Sequence, residues 1–412
     1  MTSTPRSTGL GRPFWSLWSS SSLSNLADGV LKVALPLAAL RFTDAPLLIA
    51  GVSLALTLPW LLFALPAGAL ADRLDRRRVM LAANTVRAVL AALLALSLLT
   101  GLGGIWALYA AALCVGVTET LYDTSAQSIL PQLVPRERLD HANGRLHATE
   151  MAMNQFVGPP LGGFLVAAGL ALSLAAPAAL WLVAVGALLL VRGRFRVERE
   201  RPTTLRADIA EGLRYLWRHR LLRAFAAMVG LSNFGTSAVF AVFVLYAVGP
   251  DSPMGLSEPA YGLLLTTTAL GIILGSLAAA GAVRLLRRSW ALRASSVAFV
   301  ALVGVPALTA NPYVIGAGFF AGGVGIAVWN VITVSLRQRI TPDRMLGRLN
   351  SGYRLLAWGT MPLGAAAGGA VAQFAGLTWV FVSMAVLTAV IPVWLLFIGD
   401  ADMDRAEAAG TR

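Results

Sequence analysis

Ionisable side chains interrupt several long apolar runs of this sequence. Asp28 and Lys32 lie in the first run, and Glu119 and Asp123 lie in the fourth, so the members of each pair are four residues apart. Residues at this spacing share one face of a helix, and each pair would direct two charges at the same neighbour. Inside a membrane an ionisable group costs about 2.5–3.5 kcal/mol on insertion scales, and it typically serves an ion path, a proton relay or a charge pair.

The depth of each charge within its run separates two roles. Asp28 and Glu119 lie near the middle of their runs and are predicted to be proton-responsive carboxylates. Lys32, the only lysine in the chain, is predicted to be the charge partner of Asp28. Arg87, in the third run, and Asp123 lie closer to the run ends and are predicted to form a structural ion pair. In the alternative interpretation, all of these charges are internally neutralised pairs that serve folding alone.

The composition favours lipid as the solvent of this chain. Of its 412 residues, 57% are apolar and 13% are charged, whereas soluble domains average about 25% charged residues. The net charge of +13 is spread in short clusters between apolar runs, which argues against nucleic acid as a partner. The single cysteine cannot form an intramolecular disulfide, and the sequence contains neither metal-ligand spacing nor a nucleotide-binding loop. We therefore predict no metal, no cofactor and no enzymatic activity.

A transmembrane helix needs about 20 mostly apolar residues. Runs of this kind predict an all-α integral membrane protein with about twelve transmembrane helices. The predicted spans are 14–40, 47–70, 79–100, 105–130, 144–168, 173–191, 222–248, 259–283, 294–310, 313–336, 351–372 and 378–398. Arginines are concentrated in alternate gaps, and the other gaps contain only Arg41. The positive-inside rule then predicts that both termini and the central loop are cytoplasmic.

The two halves of the chain repeat each other at a nearly constant offset. The matching segments include Leu23-Ser24-Asn25 with Leu231-Ser232-Asn233, and Gly162-Gly163 with Gly368-Gly369. A parallel repeat of six plus six spans predicts two helical bundles related by an axis along the membrane normal. The predicted domains are an N-terminal bundle over 1–191, a cytoplasmic central loop over 192–221, a C-terminal bundle over 222–398 and a cytoplasmic tail over 399–412. Apolar residues at helical spacing in the central loop predict an amphipathic helix on the inner leaflet.

The repeat also shows an asymmetry of charge. The positions that correspond to Asp28, Glu119 and Asp123 in the second half hold no acid. Their occupants are Thr236, Ile326 and Asn330. Charges needed only for folding would be expected in both halves, so the asymmetry favours ion coupling within the first half.

A loop between the second and third spans carries a motif that topology alone does not require. It reads Gly68-Ala69-Leu70-Ala71-Asp72-Arg73-Leu74-Asp75-Arg76-Arg77-Arg78. This segment resembles the signature loop of the major facilitator superfamily, with Asp75 in place of its second glycine. The resemblance implies a cytoplasmic gate formed by Gly68, Asp72, Arg73, Arg76 and Arg77. In such a gate Asp72, as an anion, can sit at a facing helix N-terminus near Asn350.

The fifth span contains Gly158-Pro159-Pro160-Leu161-Gly162-Gly163. It resembles a motif of drug/proton antiporters in the same superfamily, of which Gly158, Pro159, Gly162 and Gly163 are the matching residues and Asn154 replaces an earlier glycine. The alternative is a kinked, glycine-packed helix with no bearing on transport direction. Segments over 116–123, 130–135, 211–216 and 347–350 are similar to the branch that contains enterobactin exporters and macrolide-efflux proteins.

This resemblance implies a bacterial, multi-pass protein of the cytoplasmic membrane with the major facilitator fold. In that architecture spans one, four, seven and ten line a central cavity, which makes Asn25, Asn233, Trp329 and Asn330 candidate lining residues beside Asp28 and Glu119. The function it implies is proton-coupled efflux of a hydrophobic or amphipathic small molecule, such as a drug, macrolide or siderophore-like compound, by a monomer with alternating access. The alternatives are a proton-coupled uptake symporter and, more distantly, a membrane enzyme acting on a lipid-linked substrate.

Overall fold

The computed structural model describes residues 10–193, 195, 205–249 and 251–410. The α-helices of these residues are α1 (Arg12–Ala39), α2 (Pro46–Arg73), α3 (Arg76–Leu99), α4 (Ile105–Ile129), α5 (Leu139–Glu150), α6 (Gly158–Ala168), α7 (Leu170–Leu189), α8 (Leu205–Arg218), α9 (Arg220–Ala247), α10 (Glu258–Gly304), α11 (Pro312–Ile340), α12 (Asp343–Ala375), α13 (Leu377–Leu395) and α14 (Asp400–Gly410). A π-helix, Met151–Val157, joins α5 to α6. The described residues form no strand beyond one isolated bridge, which confirms the all-α class.

The predicted spans coincide with described helices. Spans 259–283 and 294–310 run together as α10, in which Arg287 adopts a φ of 62° and breaks the regular helix between them. Span 144–168 is divided among α5, the π-helix and α6. By length and hydropathy, nine stretches of the described residues can cross a membrane. One of the nine, Glu258–Ala307, is 50 residues long, enough for two crossings of about 20 residues each.

The chain divides into two compact units. The first comprises Met1–Leu35 and Leu62–Glu200, and the second comprises Pro36–Leu61 and Arg201–Arg412. Both α1 and α2 therefore contribute residues to each unit. In the first unit α3 packs against α4 and α7, and in the second α10 packs against α11 and α9 against α12.

Each unit has its own apolar core. In the first unit Phe14, Met80 and Leu188 are fully buried in one cluster. In the second unit Met228 and Leu292 are fully buried in another. Two cores of this kind allow each unit to bury apolar side chains without help from the membrane.

Glycines bring paired helices into close contact in both units. A Cβ atom at Gly162 of α6 would lie 2.8 Å from the carbonyl oxygen of Val30 on α1. A Cβ atom at Gly368 of α12 would lie 2.2 Å from the carbonyl oxygen of Ala238 on α9. Only glycine permits this approach of two backbones. The same helix contact thus recurs in both units, as the sequence repeat predicts.

The amphipathic helix of the central loop is present as α8, and protein covers part of its apolar face. Leu216 is fully buried in the core of the second unit. Gly212 lets α12 approach so closely that a Cβ atom there would lie 2.1 Å from the carbonyl oxygen of Arg348. Glu211 and Arg348 form an ion pair at 2.6 Å beside this contact. The expectation that this face lies on the inner leaflet is therefore wrong for Leu216, whereas Trp217 remains 59% exposed. The side chains of residues 205–209 lie outside the described part.

The C-terminal tail also forms a docked helix, α14. The guanidinium of Arg288 contacts the carboxylate of Asp404 and, at 2.6 Å, that of Glu407. The backbone N–H and the hydroxyl of Ser289 donate to the Asp400 carboxylate at 3.0 and 2.7 Å. These contacts attach α14 to the kinked region of α10.

The docking of α14 should depend on pH. Burial alone would raise the pKa of Asp400, but the hydrogen bonds from Ser289 and the positive charge of Arg288 outweigh burial, and the pKa lies below its ordinary value of 3.8. Because the folded pKa is depressed, the stabilisation is present above pH 3.8 and is lost as the pH falls through the lower value. Ser289→Ala should therefore increase the mobility of α14 at pH 7, measured with a spin label at Ala401→Cys in a Cys114→Ser background.

Ser276→Ala is the matched control for this prediction, because the Ser276 hydroxyl donates only within α10, to the carbonyl of Ile272. Equal label mobility in Ser289→Ala and in the control, from pH 3 to pH 7, would contradict the prediction.

Candidate functional site

The centre of the first unit holds a buried ion pair between Arg87 of α3 and Asp28 of α1. The Arg87 side chain is fully buried and that of Asp28 is 5% exposed. The Nη1 atom of Arg87 donates to both carboxylate oxygens of Asp28, at 3.3 and 3.4 Å, and to the Ser24 hydroxyl at 3.1 Å. The Nε atom donates to the hydroxyl of Thr118 on α4 at 3.2 Å. Three helices therefore meet at one guanidinium.

Two aromatic rings complete the surroundings of this guanidinium. Its central carbon lies 5.3 Å from the ring centre of Tyr122 and 5.6 Å from that of Trp181. Both rings are buried. Aromatic faces attract a cation, most strongly when water is excluded. They help to offset the cost of keeping the charge of Arg87 away from water.

The structure corrects both predicted charge pairs. Arg87 pairs with Asp28, so the prediction that its partner is Asp123 is wrong. Lys32 donates to the side-chain oxygen of Asn154 at 2.8 Å, and it does not pair with Asp28 as predicted. A spacing of four residues places Asp28 and Lys32 on one helix face, but the neighbouring helices determine the partner of each.

The π-helix explains the position of Asn154, the residue that replaces a glycine of the antiporter-like motif. A π-helical turn is rare and inserts an extra residue into the helical repeat, often at functional sites. A Cβ atom at Gly29 of α1 would lie 2.5 Å from the carbonyl oxygen of Asn154. The backbones of α1 and the π-helix are thus in contact, and Lys32, three residues further along α1, reaches the Asn154 side chain.

Two acids of α4 stand close to the ion pair without a partner. Glu119 and Asp123 are partly buried, and neither makes a hydrogen bond or ion pair with any described residue. Both lie near enough to Asp28 to interact electrostatically with it. The site thus gathers three carboxylates around one fully buried cation. Such an arrangement can accept a proton or the positive group of a ligand.

The residues of the span-five motif are buried at a helix crossing. Gly158, Pro159, Gly162 and Gly163 are all buried in α6. A Cβ atom at Gly158 would lie 2.6 Å from the Cα atom of Gly29. The motif thus holds α6 against the part of α1 that carries the site, whichever direction transport takes.

The gate motif is described only in part. The exposure of Gly68 and the side chains of Asp72 and Arg73 lie outside what the structure describes, although the backbone of all three residues belongs to α2. Arg76 is buried, and Arg77 donates to the carbonyls of Leu188 and Leu189 at 3.2 and 3.0 Å. These two arginines therefore contribute to the structure of the first unit, and a gating role for the motif stays a prediction.

Asp75, which stands where the signature loop has glycine, has a structural role. It is the N-cap of α3 and accepts the N–H of Arg78 at 3.2 Å. Its other carboxylate oxygen accepts the N–H of Phe195 at 3.1 Å. An aspartate at this position therefore joins the start of α3 to the chain that follows α7.

The four candidate cavity residues occupy different surroundings. Asn25 is buried and donates to the carbonyl of Ser21 at 2.9 Å. Asn233 donates to the carbonyl of Ala357 at 2.6 Å. Trp329 packs against another aromatic ring of its unit, and Asn330 is exposed. A role of these four residues in lining a central cavity stays a prediction.

Sequence reasoning missed several residues of the site. Ser24, Thr118 and Trp181 all contact Arg87, yet none was a candidate. Ser24 lies one helical turn before Asp28, and Thr118 directly precedes Glu119. Their closeness in sequence to a charged candidate could have identified them as site residues. Nothing in the sequence pointed to Trp181, because it lies on α7, far in sequence from Arg87 of α3. The described residues offer no group of three or more His, Cys, Asp or Glu side chains placed to hold a metal ion.

One family model covers almost the whole chain. The family model described as transmembrane secretion effector matches residues 10–409. The multidrug efflux pump Tap of Mycolicibacterium fortuitum is 28% identical over 402 residues, covering 91% of this chain and 94% of Tap. The enterobactin exporter EntS of Shigella boydii serotype 4 is 27% identical over 331 residues, covering 80% of this chain and 77% of EntS. A solved variant of the nucleoside transporter NupG superposes with a TM-score of 0.74 at 14% identity, covering 93% of this chain and 99% of NupG, which shows the fold.

Proposed function

Because the chain belongs to the transmembrane secretion effector family of major facilitator transporters, we propose that it exports a hydrophobic or amphipathic small molecule in exchange for protons. It is a multi-pass membrane transporter and not an enzyme. We place it in the bacterial cytoplasmic membrane as a monomer with both termini cytoplasmic. Its two bundles, over 1–191 and 222–398, would rock about a central site to give alternating access.

The observation that carries this proposal is the buried Arg87–Asp28 pair beside Glu119, whose carboxylate pairs with none of the described residues. A proton that arrives at Asp28 removes its negative charge and weakens its contact with Arg87. Glu119, one helix away and partly exposed, can hold that proton or the positive group of a substrate. Competition between a proton and a substrate for the same carboxylates is what an exchanger requires. The hydrogen bond to Asn154 holds the ammonium group of Lys32 near Asp28. This group can therefore move when the charge of Asp28 changes.

The direction of transport is inferred from the relatives. Tap is named an efflux pump and EntS an exporter, and the span-five motif resembles that of antiporters. We extend export to this chain on these two grounds. A hydrophobic or amphipathic substrate that carries a positive group would suit the acidic character of the site.

The test uses purified protein in liposomes with the cationic dye ethidium and an imposed pH gradient. Asp28→Asn and Glu119→Gln should each reduce gradient-driven dye transport at least tenfold, because each removes a carboxylate that would carry the proton. Both variants should also release fewer protons than the parent when dye is added in weakly buffered solution. Asp44→Asn, which alters an exposed acid outside the site, is the matched control and should behave as the parent.

Two results would count against the proposal. Gradient-driven transport that persists in both site variants, with unchanged proton release, would show that these charges serve folding alone. Dye transport in the same direction as proton flow would show a symporter.

A further inference from the structure

A cleft of about 700 Å³ opens between α2, α3 and α4 within the first unit. Its walls are mostly apolar and include Leu70 of α2, Leu74 just after α2, Val86 of α3 and Leu121 of α4. Its polar lining residues are Asp75 and Arg78 at the start of α3 and, further along α3 toward Val86, Thr118 of α4. A volume in the range of about 300–1,000 Å³ is typical of small-molecule sites. None of the residues that bind the Arg87–Asp28 pair, apart from Thr118, lines this cleft.

The length of the cleft corresponds to one leaflet of a bilayer. Its wall on α3 extends from Asp75 to Val86. At about 1.5 Å per residue, this face is about 16 Å long. The hydrocarbon core of a bilayer is about 30 Å thick, so one leaflet is about 15 Å. An acyl chain that enters beside Arg78 would therefore end near the bilayer middle, at the level of Val86.

The charge at the mouth of the cleft is available to a ligand. Arg78 is exposed, and its guanidinium makes no hydrogen bond or ion pair with the described residues. The Asp75 carboxylate accepts the backbone N–H groups of Arg78 and Phe195, and it forms no ion pair with the Arg78 guanidinium within the described residues. Arg77 is bound to two carbonyl groups at the end of α7. Arg78 is thus a free cation at the end of an apolar cleft.

We propose that this cleft binds an anionic phospholipid of the cytoplasmic leaflet, with its phosphate on Arg78 and one acyl chain along α3. Arg78 lies in the arginine-rich gap that is predicted to be cytoplasmic, and anionic lipids attract basic residues at that surface. The combination of one unpaired cation, an apolar wall and the depth of one leaflet matches a phospholipid better than a soluble anion, which would leave the apolar wall empty.

The deep end of the cleft reaches the candidate site. Thr118 lines the cleft, and its hydroxyl accepts the Nε–H of Arg87 at 3.2 Å. An acyl chain in the cleft would press on α4 at the residue that helps to hold the buried ion pair. Bound lipid would therefore influence transport through Arg87, a consequence that rests on the proposed function, whereas lipid binding itself does not.

The test measures lipid binding in the absence of any gradient. Purified protein in neutral detergent is titrated with phosphatidylglycerol or with phosphatidylcholine of the same acyl chains, and bound lipid is counted by native mass spectrometry. The parent should prefer phosphatidylglycerol. Arg78→Ala should weaken phosphatidylglycerol binding about fivefold, the effect of one basic residue at an anionic surface, and leave phosphatidylcholine binding unchanged. Arg214→Ala, which removes an exposed arginine of α8, is the matched control.

A second variant tests the apolar wall. Ala82 is exposed within the cleft, so Ala82→Phe should reduce the binding of both lipids by filling the acyl-chain path. Val89→Phe adds a similar volume on an exposed position of α3 outside the cleft and should have no effect. Unchanged lipid binding in Arg78→Ala or in Ala82→Phe would overturn the proposal. If Ala82→Phe instead abolished binding of ethidium and spared phosphatidylglycerol, the cleft would be a substrate site. Since no gradient is present, failed proton coupling would not affect either result.

Discussion

Arg87→Met is expected to unfold at a markedly lower temperature than the parent and to lose gradient-driven transport. The substitution keeps a long side chain but removes the cation that pairs with the buried carboxylate of Asp28. Removing one partner of a buried ion pair costs about 3–5 kcal/mol, because the other charge is left uncompensated. The unfolding midpoint in detergent, followed by intrinsic fluorescence, measures the loss.

The double variant Arg87→Met with Asp28→Asn separates stability from transport. Replacing both charges removes the uncompensated carboxylate, so much of the lost stability should return. Transport should not return with it, because the proton-responsive group is gone. Arg41→Met, at an exposed arginine outside the site, should leave both properties unchanged. A double variant that is stable and still transports would show that the pair serves folding alone, and one no more stable than Arg87→Met would contradict the electrostatic argument.

Gly158→Ala is expected to prevent correct folding, although alanine is a better helix former than glycine by about 0.8–1.0 kcal/mol. A Cβ atom at this position would lie 2.6 Å from the Cα atom and 2.7 Å from the carbonyl carbon of Gly29, and 2.8 Å from the carbonyl oxygen of Met153. These are backbone atoms of two helices and cannot rotate away as a side chain would. Separating α6 from α1 would also disturb the segment that carries Asp28, so we expect a loss above about 4 kcal/mol.

The measurement is the yield of monodisperse protein after detergent extraction, together with the unfolding midpoint. Gly186→Ala on α7 is the matched control, because a Cβ atom there would meet no other atom within 4 Å. It should fold as well as the parent. A Gly158→Ala protein with parental yield and midpoint would contradict this prediction. It would show that α1 and α6 can separate at low cost and that their close contact is not needed for folding.

The sequence alone determined the class of this protein and the position of most of its long helices. Runs of apolar residues long enough to cross a membrane are local features, and the predicted spans coincide with helices because each depends on its own residues. Gly162 and Gly368 occupy matching places in the sequence repeat, and in the structure each lies where two helix backbones meet. The intramembrane charges could also be identified from the sequence, because each interrupts an apolar run.

Only the tertiary structure decided which charges meet. Spacing places Asp28 and Lys32 on one helix face, but it carries no information on which helix lies opposite or how that helix is rotated. Arg87 reaches Asp28 because α3 packs beside α1. Lys32 reaches Asn154 because the π-helix that carries Asn154 lies in backbone contact with α1. The burial of Leu216 likewise depends on Gly212, which admits α12. Long flexible side chains can reach several neighbours, so the choice among them is made by the packing of helices that are distant in sequence.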